Sequence, residues 1–325
     1  MSESEPCARE FLGSNPAVIL ESTDFPELGE KTVGKVRDIY KKDGLATFIT
    51  TDRYSAFDRN LTEVPYKGEI VNRLTKFWQT HSRLIIEDAT VSYPDPNVMV
   101  AKEFEVLPIE MVVRGYITGV TNTSLWPQYE AGERDFGTFL LPDGLQKNER
   151  LSAPVVTPTT KFEEHDRPLT ADEIISTGLA DQNTYTYLED VARALYAVGH
   201  VVARRSGLIL VDTKYEFGRR PDDKIVSIDE IHTPDSSRYW LAEDYHNKFE
   251  QGAEQEYYDK EFLRLWYQEH SDPYNDETMP EPPPDVIEEM SRRYVQVYER
   301  LTGKTFRPSR SRSIHDRIRR NLGIK

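Results

Sequence analysis

Cysteine is almost absent from this chain. Cys7 is the only one in 325 residues, so no disulfide can form within it. It lies in a polar N-terminal stretch, Met1–Asn15, and is assigned no role. No apolar run approaches the roughly 18 residues of a membrane span, and the first residues carry no signal-peptide core. A reducing cytoplasm and no membrane partner are the expectation. Positive charge is also short: 41 Lys and Arg stand against 56 Asp and Glu, a formal net charge of −15. That balance argues against nucleic-acid binding, which needs a basic surface, yet it allows a local basic pocket for a phosphorylated small molecule. Walker A spacing is missing and no internal repeat is visible. What remains, 38% hydrophobic and 30% charged residues, is ordinary for a chain able to hold one large domain or two lobes.

Periodicity predicts strands early and helices late. Residues 31–51 read as two short strands about Lys42-Asp43-Gly44, a hairpin signal. Gly68–His81 is an amphipathic helix with Ile70, Val71, Leu74, Phe77 and Trp78 on one stripe. Residues 84–120 are strand-rich and end in the apolar run Ile109–Val113. Leu141–Pro168 shows little periodicity and several prolines, and is expected to be a long functional loop. Thr170 and Glu173 form a capping box. A helix over Thr184–Arg205 buries Leu188, Val191, Leu195, Val198 and Val202 and ends at Gly207. Further helices are expected over Glu254–His270 and Asp285–Leu301, the latter capped by Gly303. The tail Lys304–Lys325 has eight Lys and Arg against one Asp. It is expected to pack on the acidic body as a solvated tail, with anion binding as the alternative.

Residues 207–240 are the most informative. Val211, Thr213, Tyr215 and Phe217 alternate with Asp212, Lys214 and Glu216, which places the charged set on one strand face. Arg219–Lys224, with Pro221 and two aspartates, is a turn. A hairpin folded about Asp222–Asp223 sets Glu216 opposite Asp229 and Lys214 opposite Ile231. Like charges facing each other are destabilising, and a divalent cation held by oxygen ligands, Mg²⁺, would relieve that. A solvated acidic face is the alternative. A one-residue slip would turn every side chain over.

Four other segments carry chemistry. In Gly34-Lys35-Val36-Arg37-Asp38 a glycine admits a phosphate close to the backbone and Lys35 supplies a charge; an ordinary hairpin glycine is the alternative. Thr51-Asp52-Arg53-Tyr54-Ser55-Ala56-Phe57-Asp58 concentrates acids and hydroxyls at a strand end. Arg114, between an apolar strand and the glycines of Gly115-Tyr116-Ile117-Thr118-Gly119, needs an anionic partner: a bound phosphate or carboxylate, or a neighbouring side chain. Thr157-Pro158-Thr159-Thr160-Lys161 offers hydroxyls and a lysine for phosphate capture. His165, among acids, is not assigned a role.

Taken in order, GKVRDIY, TDRYSAFD, KGEIVNRLTKFW, VVRGYITG, TPTTKFEEHD, VDTKYEFG and IDEIHTPDSSRYW closely resemble the phosphoribosylaminoimidazole-succinocarboxamide synthase (SAICAR synthetase) family. The resemblance runs from about Thr32 to Trp240 and continues more loosely through the C-terminal helices. It implies an α/β (α+β), two-lobed fold with an antiparallel N-terminal sheet, a larger sheet with helices, and outer C-terminal helices. The corresponding division is 1–108 for ATP, 109–245 for substrate and metal, and 246–325 for helices and basic tail. It also implies an ATP-dependent ligase joining carboxyaminoimidazole ribonucleotide (CAIR) to L-aspartate in purine biosynthesis, as a monomer or homodimer.

By that resemblance Gly34, Lys35, Val36 and Arg37 hold ATP phosphates, while Glu216 and Asp229 hold Mg²⁺ and with it the nucleotide. Lys214, Asp235 and Arg238 form the catalytic set. Arg114, Arg238 and Ser236 anchor the CAIR phosphate, and Lys161, Lys214, Asp58 and Ser237 contact CAIR or aspartate. One departure stands out. Family members often carry a serine directly after the second glycine of RGYITG, whereas here Gly119 is followed by Val120-Thr121-Asn122-Thr123-Ser124. The hydroxyl that meets the phosphate is therefore open. A small-molecule kinase and a non-catalytic nucleotide-binding module are the rival readings, and dependence of turnover on aspartate separates the first from a ligase.

Overall fold

The computed structural model describes residues 19–163, 167–309, 311 and 313–324. Cys7 and the N-terminal stretch lie outside the described residues, as does His165 with Glu164 and Asp166. The chain divides into two units: Met1–Phe77 with Ala89–Glu103 and Tyr258–Lys325, and Trp78–Asp88 with Phe104–Tyr257.

The first unit is built on an antiparallel sheet of β1 (Glu30–Val33), β2 (Arg37–Lys42), β3 (Leu45–Thr50), β6 (Thr90–Asp95) and β7 (Val98–Lys102), ordered β1-β2-β3-β7-β6. Residues 31–51 thus hold parts of three strands rather than two. The turn between β2 and β3 puts Asp43 at φ 52° and Gly44 at φ 74°, as the Asp-Gly pair of a tight hairpin requires. A separate hairpin pairs β4 (Arg53–Ala56) with β5 (Arg59–Glu63). Helix α1 (Lys67–Ser82) buries Ile70, Val71 and Leu74 completely. The C-terminal helices are α6 (Glu261–His270), α7 (Pro284–Thr302) and α8 (Ile314–Leu322). Gly303, at φ 67°, closes α7 in the left-handed region.

Two expectations change here. The helix predicted from Glu254 begins at Glu261, whose amide is held by the Asp259 carboxylate at 2.8 Å. The carboxylate of Glu254 is instead taken up by the Tyr257 hydroxyl (2.7 Å) and Lys147. The basic tail is more than a solvated appendage, because α8 inserts Ile318 into the core cluster of Leu20, Phe25, Tyr40, Ile49 and Val98.

The second unit carries β8 (Glu105–Ile117), β9 (Glu149–Thr160), β10 (Leu208–Arg219) and β11 (Ile225–Ser227) in the order β11-β10-β8-β9, all antiparallel, with β12 (Ser237–Leu241) also paired to β10. Its helices are α2 (Leu125–Glu130), α3 (Ala171–Ser176), α4 (Gln182–Arg205) and α5 (Tyr245–Glu250). The capping box of Thr170 and Glu173 opens α3. Asp181 caps α4 through the Thr184 amide at 2.7 Å. Leu188, Val191 and Leu195 are buried along α4, whereas Val198 and Val202 are only partly covered. The expected loop 141–168 instead contains the twelve-residue strand β9. Its prolines are tolerated because β9 ends the β8 ladder; at Pro158 the outer side meets residues 167–169, with the Leu169 amide donating to the Pro158 carbonyl at 2.9 Å, a bond that uses no proline N–H.

Candidate active site

The charged face read from the sequence is real, but its partner strand is different. β10 and β11 pair Phe217 with Ser227, Gly218 with Val226 and Arg219 with Ile225. The hairpin is therefore centred on Asp222 and shifted by one residue from the predicted register. Its loop is closed by the Arg220 amide on the Lys224 carbonyl at 2.8 Å, with Asp223 in the left-handed region at φ 66°. Beyond the Ile228 amide on the Glu216 carbonyl (3.2 Å) the chain leaves the ladder, so Asp229 lies outside the β10–β11 pairing and Glu216 does not face it there.

What faces Glu216 is Glu110 on β8, and the same register sets Lys214 opposite Val112 and Asp212 opposite Arg114. Period-2 alternation puts Glu110, Val112 and Arg114 on one face with Glu216, Lys214 and Asp212. Two like charges are thereby set side by side, and two lysines offset them. The Lys214 ammonium donates to Glu110 at 2.6 Å and to Glu216 at 2.9 Å. Lys161 pairs with Glu216 and lies 3.7 Å from Glu110. The Thr159 hydroxyl donates to Glu110 at 3.2 Å. Burial pushes the Glu216 carboxyl up, but the ammoniums of Lys214 and Lys161 win and hold it well below the usual carboxylate range. Burial likewise pulls Lys214 down, and Glu216, Glu110 and Asp229 together outweigh it, holding the ammonium above its ordinary range. Asp229 thus acts on this cluster electrostatically.

One strand step along the same face, about 7 Å, lies a guanidinium pair. Arg238 donates to Asp212 at 2.6 Å, and Arg114 lies 3.6 Å from the same carboxylate oxygen. Arg114 also donates to the Thr157 hydroxyl (2.8 Å) and the Thr123 carbonyl (2.9 Å). Arg238 reaches the Ser124 hydroxyl at 3.2 Å, and Thr121 sits 2.8 Å from Ser124. Within the 120–124 turn the Ser124 hydroxyl is thus joined to Arg238. A Cβ at Gly119 (φ 100°) would fall 2.3 Å from the Ser124 hydroxyl and 2.9 Å from an Arg238 nitrogen. Gly119→Ala is accordingly expected to raise KM for a phosphorylated substrate about tenfold or more while leaving KM for ATP within about twofold; equal effects on both in steady-state assays would refute this.

The loop before β12 carries the remaining candidates. Asp235 and Ser236 are half-buried, their amides lying near the Thr233 hydroxyl at 3.2 and 3.3 Å, and the Ser236 carbonyl accepts the Lys214 amide at 3.3 Å. The Ser237 hydroxyl points inward to Thr213 at 2.8 Å.

In the first unit, Gly34–Val36 forms the turn between β1 and β2, with the Gly34 amide on the Arg37 carbonyl at 2.8 Å. Arg53 underpins this turn, donating to the carbonyls of Gly34 (3.0 Å) and Lys35 (3.3 Å) and to Asp38 (3.0 Å). The Thr51 hydroxyl and amide both bond the Val36 carbonyl. Lys35 pairs with Asp58, both exposed. Phe57 and Asp58 have φ of 52° and 59°, uncommon for residues with side chains.

Sequence reasoning missed Glu110 and Thr159 as members of the lysine cage, and Asp212 as the carboxylate shared by the arginines. A charge buried inside the apolar run 109–113, two steps from Arg114, was the available signal. Among the described residues no group of three or more His, Cys, Asp or Glu side chains is arranged to hold a metal ion. Mg²⁺ needs no such cage, since one or two carboxylates suffice when phosphate oxygens and water complete its shell. Glu216 and Asp229 supply oxygen donors of that kind, and in this structure the two Glu216 oxygens are held by Lys214 and Lys161.

Fold and sheet face together present an α/β chain with a charged face suited to anionic groups. A family model for SAICAR synthetase matches residues 30–281, and the chain belongs to this family. It is 48% identical over 304 residues to a phosphoribosylaminoimidazole-succinocarboxamide synthase of Legionella pneumophila (strain Paris), covering 93% of this chain and 97% of that one. It is 49% identical over 298 residues to the chloroplastic synthase of Arabidopsis thaliana, covering 91% and 72%. The fold matches a Saccharomyces cerevisiae SAICAR synthase solved with SAICAR, with a TM-score of 0.76 at 28% identity over 88% of this chain and 99% of that one. The protein is thus an ATP-dependent ligase that joins CAIR and aspartate in purine biosynthesis. No described helix is long and apolar enough to cross a membrane.

Proposed function

We propose that the face shared by β8, β10 and β12 carries out the ligation, with Glu216 and Asp229 holding Mg²⁺ and Gly34, Lys35, Val36 and Arg37 holding ATP phosphates. The observation that supports this reading is the pair of lysines caged by Glu110 and Glu216, one strand step from the Arg114–Arg238 pair. The reaction needs that juxtaposition. A carboxylate is a poor electrophile as its anion, so the CAIR carboxylate takes the γ-phosphoryl of ATP, releasing ADP. The aspartate amine then attacks the acyl phosphate, phosphate leaves, and the amide forms. Mg²⁺, when bound, neutralises phosphate charge. Lys214 and Lys161 stabilise the charge that develops on the transferring group and bind CAIR, largely by position and electrostatics.

Arg114 and Arg238, with Ser124 and Ser236, clamp the CAIR phosphate, the planar guanidinium fork matching its oxygens. Asp58, Asp235 and Ser237 orient CAIR or aspartate, Ser237 through its backbone because its hydroxyl is given to Thr213. On this assignment residues 1–108 serve ATP, 109–245 serve substrate and metal, and 246–325 supply outer helices and tail. The enzyme works in the cytoplasm as a monomer or homodimer.

The test is a coupled assay on the purified chain. SAICAR, with multiple turnovers of ADP, should appear only when ATP, Mg²⁺, CAIR and aspartate are all present. Multiple-turnover ADP release from CAIR without aspartate would instead indicate a small-molecule kinase, and no ADP with all four would end the proposal.

A further inference from the structure

His232 lies at the start of the loop that carries Asp235–Arg238, and it is fully buried. Its backbone is in the left-handed region at φ 53°, a conformation that costs a non-glycine residue free energy and persists only where surroundings impose it. Those surroundings are specific. The ring stands edge-on to Trp78 with centroids 4.7 Å apart. On the other side is Gly199 of α4, where an added Cβ would fall 2.4 Å from the imidazole. The His232 carbonyl accepts the Tyr239 hydroxyl at 2.5 Å, and Nε2 lies 2.5 Å from the Tyr215 hydroxyl. Burial, and then the charge of His81, lower its pKa to about 3, so the imidazole is neutral at physiological pH.

Tyr215 stands between Lys214 and Glu216 on β10, so alternation sends it to the opposite face. Thr213 shares that back face. Its hydroxyl accepts from Ser237 at 2.8 Å. Two links result: Ser237 donates to Thr213, and the Tyr215 hydroxyl meets the His232 ring. They tie the back of the lysine–glutamate strand to both ends of the 232–237 loop. Buried hydrogen bonds restrain the groups they join, and a displacement of about 1 Å at a reacting group costs up to about a hundredfold in rate.

We propose that His232 is a positioning residue, which through Tyr215 sets Lys214 and Glu216 relative to the Ser236–Arg238 loop. This rests on the assignment of that face to the ligation.

Tyr215→Phe removes one oxygen, and His232→Asn suits a left-handed backbone. Each should lower kcat about five- to tenfold with KM for ATP changed by less than about twofold, and the double variant should be no worse than the worse single, because one shared hydrogen bond is lost only once. A structural role alone would lower the melting temperature and leave kcat of the folded protein intact. That outcome, or multiplying effects in the double variant, overturns the proposal. ¹⁵N NMR of the histidine rings gives a readout independent of turnover. Tyr215→Phe should shift the His232 ring nitrogens, and unchanged shifts would show that the link does not exist. Failure of the wild-type protein to turn over with ATP, CAIR and aspartate would count against the functional assignment instead.

Discussion

Glu216→Gln is expected to lower kcat by about a thousandfold, the scale seen when a preorganised electrostatic group is removed from an active site. The carboxylate contacts Lys161 and Lys214 at once, so its loss leaves Glu110 as the carboxylate beside both ammoniums, with Asp229 acting electrostatically on Lys214. The proposed Mg²⁺ site also loses one of its two anionic ligands. The fold should survive, because glutamine has the same shape and Lys161 and Lys214 keep partial access to solvent, which blunts the stability cost. A melting temperature lowered by no more than about 5 °C is expected. The pH dependence has a definite sign. The folded carboxyl lies below its ordinary value of 4.5, so its stabilising effect is fully present above that value and fades as pH falls toward the lower folded one. The gap in melting temperature between wild type and variant should therefore be flat from about pH 8 to 5 and narrow below about 4.5. Near-normal turnover at saturating ATP and Mg²⁺ would remove Glu216 from the mechanism. A gap that widens on acidification would contradict the charge assignment.

Much of this site was legible because strands advertise themselves by alternation. Asp212, Lys214 and Glu216 are on one face of β10, as their spacing required, and the capping box at Thr170 and the glycine ends at Gly207 and Gly303 follow local rules that need no tertiary knowledge. The failures lie where local rules stop. Placing the hairpin centre between Asp222 and Asp223 assumed an even loop. The actual five-residue loop with a left-handed Asp223 shifts every pair by one. The true partner of Glu216 comes from β8, about a hundred residues earlier in the chain, and no turn signal can report a pairing of that range. β9 was hidden by Pro154 and Pro158, which would break a central strand but are harmless at an edge. Glu110 and Glu216 would repel one another were Lys161 and Lys214 not fixed beside them. The site therefore exists only once three strands are assembled.

Arg317→Ala should destabilise the protein by about 3–5 kcal/mol, the cost of leaving a buried charge without its partner. Arg317 looks on sequence like one more charge in a basic tail. In the structure it is buried on α8 and grips the fully buried Asp95 with two donors at 3.0 and 3.1 Å. Asn321, one turn on, adds a third bond to Asp95 at 2.7 Å. The same carboxylate holds the Asn97 amide at 2.9 Å, and Asn97 in turn bonds the backbone of Thr50 on β3 in both directions at 2.9 Å. Removing the guanidinium thus strands a carboxylate at the turn on which the sheet edge depends, while Ile318 beside it loses its fixed seat in the core. For a chain of this size the loss corresponds to a melting temperature lower by about 6–15 °C. Asp95→Asn combined with Arg317→Met removes both charges and keeps the amide cap, so it should recover much of the loss, as replacement of buried ion pairs by uncharged groups commonly does. Thermal unfolding of the three proteins decides the matter. A single variant within about 2 °C of wild type, or a double variant worse than the single, would show that the tail is not held by this pair.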